Sequence, residues 1–203
     1  MRNDALILAF DTSAAHCAAA LLQGETVLAH RVEEMAKGQA ERLMPLLEEL
    51  LAEAGYGWHD LAGLGVGVGP GNFTGVRISV SAARGLALSL GIPAIGVSTF
   101  EAVAEGAARP VAVLLDARRG EAYAQRFTQA GADAPRLAPA EILQAELAGT
   151  PILGPDQAAF ALPVAMARVA ASRLGSPQPK PAPLYLRGAD AAPPSDPPPV
   201  LLD

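Results

Sequence analysis

The sequence predicts an α/β protein in which one pattern of strands and helices occurs twice. The first copy opens with the apolar run Ala5–Phe10 followed by Asp11, and the second opens with Val111–Leu115 followed by Asp116. Short apolar runs are typical of buried strands, whereas apolar residues at spacings of three and four are typical of helices. Because the second copy is shorter, we expect two unequal lobes.

Residues 1–98 are expected to form the larger lobe. Leucines recur at helical spacing between Glu41 and Ala54, and Pro45 either lies in the first turn of this helix or kinks it. A second helix ends at Gly91, since glycine favours helix termination. The predicted elements are strands at 5–10, 17–22 and 25–32, a helix at 41–54, a strand at 61–68, a helix at 76–90 and a strand at 94–97.

Residues 99–187 are expected to form a reduced second lobe. Its predicted elements are a helix at 99–107, strands at 111–115 and 121–128, a helix at 141–147, a strand at 151–153 and a helix at 156–174 interrupted by Pro163. The apolar segment Leu184–Arg187 is predicted to dock on the lobes. The proline-rich tail, residues 188–203, is predicted to be disordered.

Composition and charge limit the function classes. The chain has 203 residues, of which 51% are hydrophobic, enough for a sizeable core. A formal net charge of −6 argues against strong independent binding to nucleic acid, because that affinity depends on cationic contacts to phosphates. The single cysteine, Cys17, excludes an internal disulfide framework. No signal-peptide or membrane-spanning pattern is present, so we expect a cytoplasmic protein without membrane contact.

A glycine-rich run from Gly63 to Arg77 joins a strand to a helix. Six of its fifteen residues are glycine. It lacks the lysine of a Walker loop and the spacing of a dinucleotide fingerprint. Two alternatives remain: the amides at the start of the following helix hold an anion, or the glycines form a tight turn capped by Asn72 or Thr74. The spacing favours the turn and leaves anion binding open.

Residue patterns for catalysis and for metal binding are missing. The three histidines lack the helical spacing of a metal pair, and no nucleophile elbow occurs, so we expect neither a catalytic residue nor a metal site. Asp11 and Asp116 follow strands, a place where sheets often bind ligands. The alternative is that each carboxylate caps a turn. This alternative is favoured for Asp116, and both remain open for Asp11.

Six segments along nearly the whole chain, from Leu6 to Arg187, together resemble the TsaB (YeaZ) family. The most specific is the core Gly-Pro-Gly-x-Phe-Thr-Gly-x-Arg at 69–77. One position departs from the family pattern: Gln39 stands where members often carry a histidine. The segments are Asp11–Ser13 after its strand, Glu41–Leu43, Gly69–Arg77, Gly96–Thr99, Asp116–Glu121 with Tyr123, and Leu184–Arg187.

The resemblance implies a fold and a role. The fold is the actin-like ATPase fold, with two lobes of mixed sheet and the second lobe reduced. The role is that of a non-catalytic partner of TsaD, joined by the ATPase TsaE, in forming threonylcarbamoyladenosine beside the anticodon of tRNAs that read codons starting with A. It implies no cofactor for the chain alone, ATP or ADP at the interface of the assembled complex, and tRNA contact only through that complex.

Two sets of site residues follow from these expectations. We expect helices 41–54 and 76–90 to bind the partner, with TsaD as the heterodimer partner and a homodimer as an alternative. The rival function is an actin-fold kinase or a glycoprotease-like hydrolase. The partner-binding candidates are Leu43, Met44, Leu47, Leu51, Ser81, Gly85 and Ser89; the candidates for nucleotide or anion contact are Asp11, Thr12, Gly69, Gly71, Thr74, Gly75 and Arg77, and Arg118 has no assigned contact.

Overall fold

Two mixed β-sheets of five strands each organise residues 4–187, the part of the chain that this computed structural model describes. The expected disordered tail, 188–203, lies outside the described residues. The strands are β1 (Leu6–Asp11), β2 (His16–Gln23), β3 (Thr26–Glu34), β4 (Gly63–Gly67), β5 (Ala94–Val97), β6 (Val111–Asp116), β7 (Glu121–Thr128), β8 (Gly131–Ala132), β9 (Arg136–Pro139) and β10 (Ile152–Leu153). The helices are α1 (Gln39–Glu53), α2 (Phe73–Leu90), α3 (Thr99–Ala104), α4 (Ala140–Glu146) and α5 (Leu162–Arg173).

The first sheet has the strand order β3-β2-β1-β4-β5. Strands β1, β2 and β3 form an antiparallel meander, while β4 and β5 run parallel to β1. The parallel strands need crossover helices, and α2 provides the crossover between β4 and β5. The carboxyl ends of β1 and β4 therefore meet at one edge of the sheet, which brings Asp11 beside the glycine-rich loop.

The second sheet repeats this arrangement in a smaller form. Strand β6 takes the place of β1, because it pairs antiparallel with β7 on one side and parallel with β10 on the other. Short strands β8 and β9 both pair with β7. Within residues 4–187 the second sheet has no counterpart of β5. The predicted α/β fold with two mixed sheets and a reduced second lobe is confirmed.

Helices cover both faces of the first sheet. The leucines of α1 and the apolar face of α2 pack on one face, around Leu8 and Phe10. Helix α5 packs on the opposite face, around Ile7 and Ala9. This placement departs from the expected division at residue 98, because α5 comes from the second half of the chain and crosses back to the first sheet.

Three helix details differ from the sequence expectation. Helix α1 begins at Gln39, so Pro45 lies inside the helix rather than in its first turn. Pro163 lies in the first turn of α5 and does not interrupt it, since proline fits that position without losing a hydrogen bond. Helix α3 ends at Ala104, where Arg109 donates to the carbonyl oxygen of that residue over 2.9 Å. In residues 4–187, none of these helices combines the length and apolarity needed to cross a membrane.

Candidate functional site

The glycine-rich loop is packed directly against the turn that follows β1. Thr12 Oγ1 donates to the carbonyl oxygen of Gly75 over 2.6 Å, and the Asn72 amide donates to the carbonyl oxygen of Ser13 over 2.6 Å. Any side chain at the neighbouring glycines would collide with this turn. A Cβ atom would lie 1.8 Å from Asp11 Oδ1 at Gly67, 2.4 Å from Ser13 O at Gly71 and 1.9 Å from Thr12 O at Gly75.

The amino-terminal amides of α2 are capped by the chain itself. Asn72 Oδ1 accepts from the amides of Thr74 and Gly75, each over 3.0 Å. The loop before it is held by Thr99, whose amide donates to Gly69 O over 2.8 Å. Gly69 has a φ of +90°, a left-handed conformation that favours glycine. These contacts support the tight-turn alternative; a nucleotide or anion at this loop stays a prediction.

Asp11 is the buried centre of the turn and is 0% exposed. Its Oδ2 accepts from the Ser13 amide over 3.0 Å and from Ser13 Oγ over 2.9 Å, and it lies 2.7 Å from His16 Nε2. Its Oδ1 has no hydrogen-bond partner among residues 4–187 and fills the space beside Gly67. This geometry makes Asp11 the organiser of the turn, which was one of its two open alternatives.

Asp116, the equivalent residue of the second lobe, is exposed. Its Oδ1 accepts from the Arg118 amide over 2.9 Å, a local turn-capping contact. Arg118 and Arg119 follow in left-handed conformations, with φ of 64° and 55°. The turn-capping interpretation favoured for Asp116 therefore agrees with its geometry.

Substituting the two aspartates should have very different effects on stability. Asp11→Ala leaves two buried groups of Ser13 and the half-buried His16 ring without their acceptor, so we expect a loss of about 2 kcal/mol. Asp116→Ala, the matched control, should cost less than about 0.5 kcal/mol because its contact is exposed. Urea denaturation followed by circular dichroism measures both. Equal losses for the two variants would show that Asp11 does not organise the turn.

The thiol of Cys17 is unreactive at neutral pH. Cys17 is completely buried, and burial raises the pKa of its thiol to about 11. The thiol is therefore protonated at neutral pH and is not a nucleophile.

Residues 4–187 hold no cluster of three or more histidine, cysteine, aspartate or glutamate side chains suited to a metal ion. Gln39 begins α1 and donates to the carbonyl oxygen of Met35 over 3.0 Å.

Helix α2 turns a long exposed face to solvent, here called the α2 face. Leu88 is 86% exposed, which is unusual for a leucine in a helix that also contributes to a core. A Cβ atom at Gly85 would meet nothing within 4 Å. Met44 of α1, a helix in contact with α2, is 37% exposed. The α2 face consists of Phe73, Arg77, Ser81, Arg84, Gly85, Leu88 and Ser89.

The partner-binding prediction is wrong for three residues. Leu43, Leu47 and Leu51 are 1%, 0% and 2% exposed, because α1 turns its leucines onto the first sheet. The leucines bury the large apolar side chains on that face of the sheet. The other candidates, Met44, Ser81, Gly85 and Ser89, are exposed, and their role in binding stays a prediction.

Comparison with known proteins places the chain in a family. The family model described as TsaD, tRNA N6-adenosine threonylcarbamoyltransferase, matches residues 26–174. The tRNA threonylcarbamoyladenosine biosynthesis protein TsaB of Escherichia coli (strain K12) is 42% identical over 122 residues, covering 58% of this chain and 52% of that protein. The solved structure of YeaZ from Pseudomonas aeruginosa has a TM-score of 0.72 and 27% identity, covering 90% of this chain and all of that one. The chain belongs to the TsaB (YeaZ) family.

The extent of similarity differs among the relatives of this TsaB-family chain. The chain spans about half the length of the Escherichia coli TsaB that it matches, as the 52% coverage states. An uncharacterized protein of Mycobacterium bovis is 35% identical over 202 residues, covering 92% of this chain and 94% of that protein. The described residues share their fold, two mixed sheets with the second lobe reduced, with the solved YeaZ structure.

Sequence reasoning missed several residues of the site in this TsaB-family chain. Leu88 went unnoticed because leucine fits either face of a helix. Arg77, Ser81, Arg84 and Leu88 follow one another at spacings of four, three and four, which places Leu88 on the polar side of the helix. Ser13 and His16 carried no spacing signal for their contact with Asp11.

Proposed function

We propose that this chain is a non-catalytic subunit that binds TsaD and supports it in forming threonylcarbamoyladenosine beside the anticodon of tRNAs that read codons starting with A. The ATPase TsaE joins the pair. The name of the Escherichia coli relative, a tRNA threonylcarbamoyladenosine biosynthesis protein, supports the pathway. The match to the TsaD family model supports a partner of similar fold.

The α2 face is the observation that carries the proposal. It combines an almost fully exposed leucine, Leu88, with small residues at Ser81, Gly85 and Ser89 that permit a close helix contact. Burying one leucine contributes about 1.5–3 kcal/mol. A few such anchors suffice for a micromolar complex, which needs about −8 kcal/mol after the costs of association.

The glycine-rich loop acts in this proposal as a positioning device. Its contacts with the Asp11–Ser13 turn fix where α2 starts, and so fix the direction of the α2 face. ATP or ADP then binds at the interface of the assembled complex, with no cofactor held by this chain alone. Contact with tRNA also requires the complex, since the chain carries a net charge of −6. We place this activity in the cytoplasm.

Reconstitution of tRNA modification tests the proposal. Purified TsaD, TsaE, tRNA and a source of threonylcarbamoyl adenylate are combined with and without the full chain. We expect the initial rate of threonylcarbamoyladenosine formation to fall at least about tenfold when the chain is omitted.

Two outcomes would contradict the proposal. An unchanged rate without the chain would remove its supporting role. Modification by the chain in the absence of TsaD would make it an enzyme, as the rival kinase or hydrolase function requires.

A further inference from the structure

Arg77 is held in a fixed position on the α2 face. Its guanidinium carbon lies 3.7 Å from the centre of the Phe73 ring, one helical turn earlier. Its Nε donates to the hydroxyl of Tyr185 over 2.9 Å, and the Phe73 and Tyr185 rings lie 5.2 Å apart. The side chain has therefore lost much of its rotamer freedom before any partner arrives.

Tyr185 is itself anchored by a segment that crosses between the lobes. The Leu184 amide donates to the carbonyl oxygen of Val68 over 2.8 Å, beside the glycine-rich loop. Arg187 donates to Glu121 over 2.7 Å in the second lobe. The predicted docking of this segment is confirmed, and it places a tyrosine hydroxyl where it orients Arg77.

The two terminal nitrogens of Arg77 remain open. Neither Nη1 nor Nη2 has a hydrogen bond or an ion pair with any residue in the described range 4–187. An arginine with both terminal nitrogens free presents a planar fork that matches a carboxylate or a phosphate. The surrounding aromatic surface is also exposed, with Phe73 49% and Tyr185 48% accessible.

The surroundings favour a protein carboxylate over the phosphates of a nucleic acid. The α2 face continues from Arg77 past the exposed Arg84 to the apolar Leu88. Acidic residues outnumber basic ones in the whole chain, 21 to 15, which opposes a polyanion. An arginine between exposed aromatic rings is typical of the few residues that dominate protein interfaces.

We propose that Arg77 binds a carboxylate of the protein partner, with Phe73 and Tyr185 holding its guanidinium in the bound orientation. This inference rests on the proposed function, because the partner is the TsaD of the same complex. The carboxylate accepts from Nη1 and Nη2 while the partner surface covers the Phe73 ring.

Calorimetric titration of TsaD with full-length variants tests the inference. Arg77→Ala should weaken the affinity about thirtyfold and reduce its dependence on ionic strength, as loss of a desolvated ion pair does. Arg77→Lys should be weakened nearly as much, since lysine lacks the planar fork. Tyr185→Phe should weaken binding about threefold by releasing Arg77 Nε. Arg126→Ala, which removes an exposed arginine of the second lobe, is the charge-matched control and should bind like the wild type.

The outcomes separate this inference from the function on which it rests. Wild-type affinity of Arg77→Ala, with unchanged thermal unfolding, would overturn the role of Arg77 while TsaD binding stands. Failure of the wild type to bind TsaD would overturn the proposed function itself. An effect of Arg77→Ala confined to tRNA binding, or to self-association in light scattering, would also overturn the inference by assigning Arg77 to a phosphate or to a second copy.

Discussion

Alanine at Gly75 is expected to destabilise the chain by about 3 kcal/mol, whereas alanine at Gly85 in the same helix is expected to stabilise it by up to about 1 kcal/mol. The two positions differ in what a methyl group would meet. At Gly75 the Cβ atom would lie 1.9 Å from the Thr12 carbonyl oxygen, a backbone atom that cannot rotate away. At Gly85 it would enter open solvent.

The two changes in stability have opposite signs because helix propensity favours alanine at both positions, whereas a steric collision occurs only at Gly75. Alanine gains about 1 kcal/mol over glycine inside any helix. At Gly75 this gain is outweighed, because either α2 or the Asp11–Ser13 turn must move. That movement breaks the hydrogen bond from Thr12 Oγ1 to the carbonyl oxygen of Gly75. Urea denaturation followed by circular dichroism gives both free energies of unfolding. A Gly75→Ala variant as stable as the wild type would show that the loop is not built for close backbone approach.

Arginine at Gly85 is expected to abolish co-purification with TsaD while leaving the isolated chain folded. The new side chain has room in the monomer, since nothing lies within 4 Å of the Cβ position. In the complex it would occupy the close helix contact that the small residues Ser81 and Ser89 permit. We expect a loss of about a hundredfold in affinity, or about 3 kcal/mol. Gln129→Arg, which adds the same charge to an exposed turn of the second lobe, is the control.

Much of the fold could be predicted because its signals are local. The apolar run that ends at Phe10, its repeat before Asp116 and the leucine spacing of α1 are each set by residues close together in the chain. The glycines of the loop predicted a tight turn between strand and helix, and the structure adds that the Asp11–Ser13 turn packs against it. Sequence alone did not reveal that turn as the partner of the loop, because Thr12 and Gly75 meet across 63 positions of the chain.

The site was less predictable because exposure depends on the whole fold. Helical spacing identifies the apolar face of α1, but it does not say whether that face meets the chain's own sheet or another protein. Leu43 and Leu47 meet the sheet. No apolar side chain of α2 lies three or four positions from Leu88, so Leu88 stays exposed to solvent. The contact of Arg77 with Tyr185 spans 108 positions and has no sequence signature.

The central claim is that the α2 face binds TsaD, and calorimetric titration of TsaD with the wild-type chain, Gly85→Arg and Gly85→Ala tests it most directly. We predict that the wild type binds with a dissociation constant of about 1 μM, that Gly85→Ala stays within about tenfold of this value, and that Gly85→Arg shows no measurable heat at the same concentrations. All three proteins should unfold at wild-type temperature or above. Binding of folded Gly85→Arg with wild-type affinity would contradict the claim.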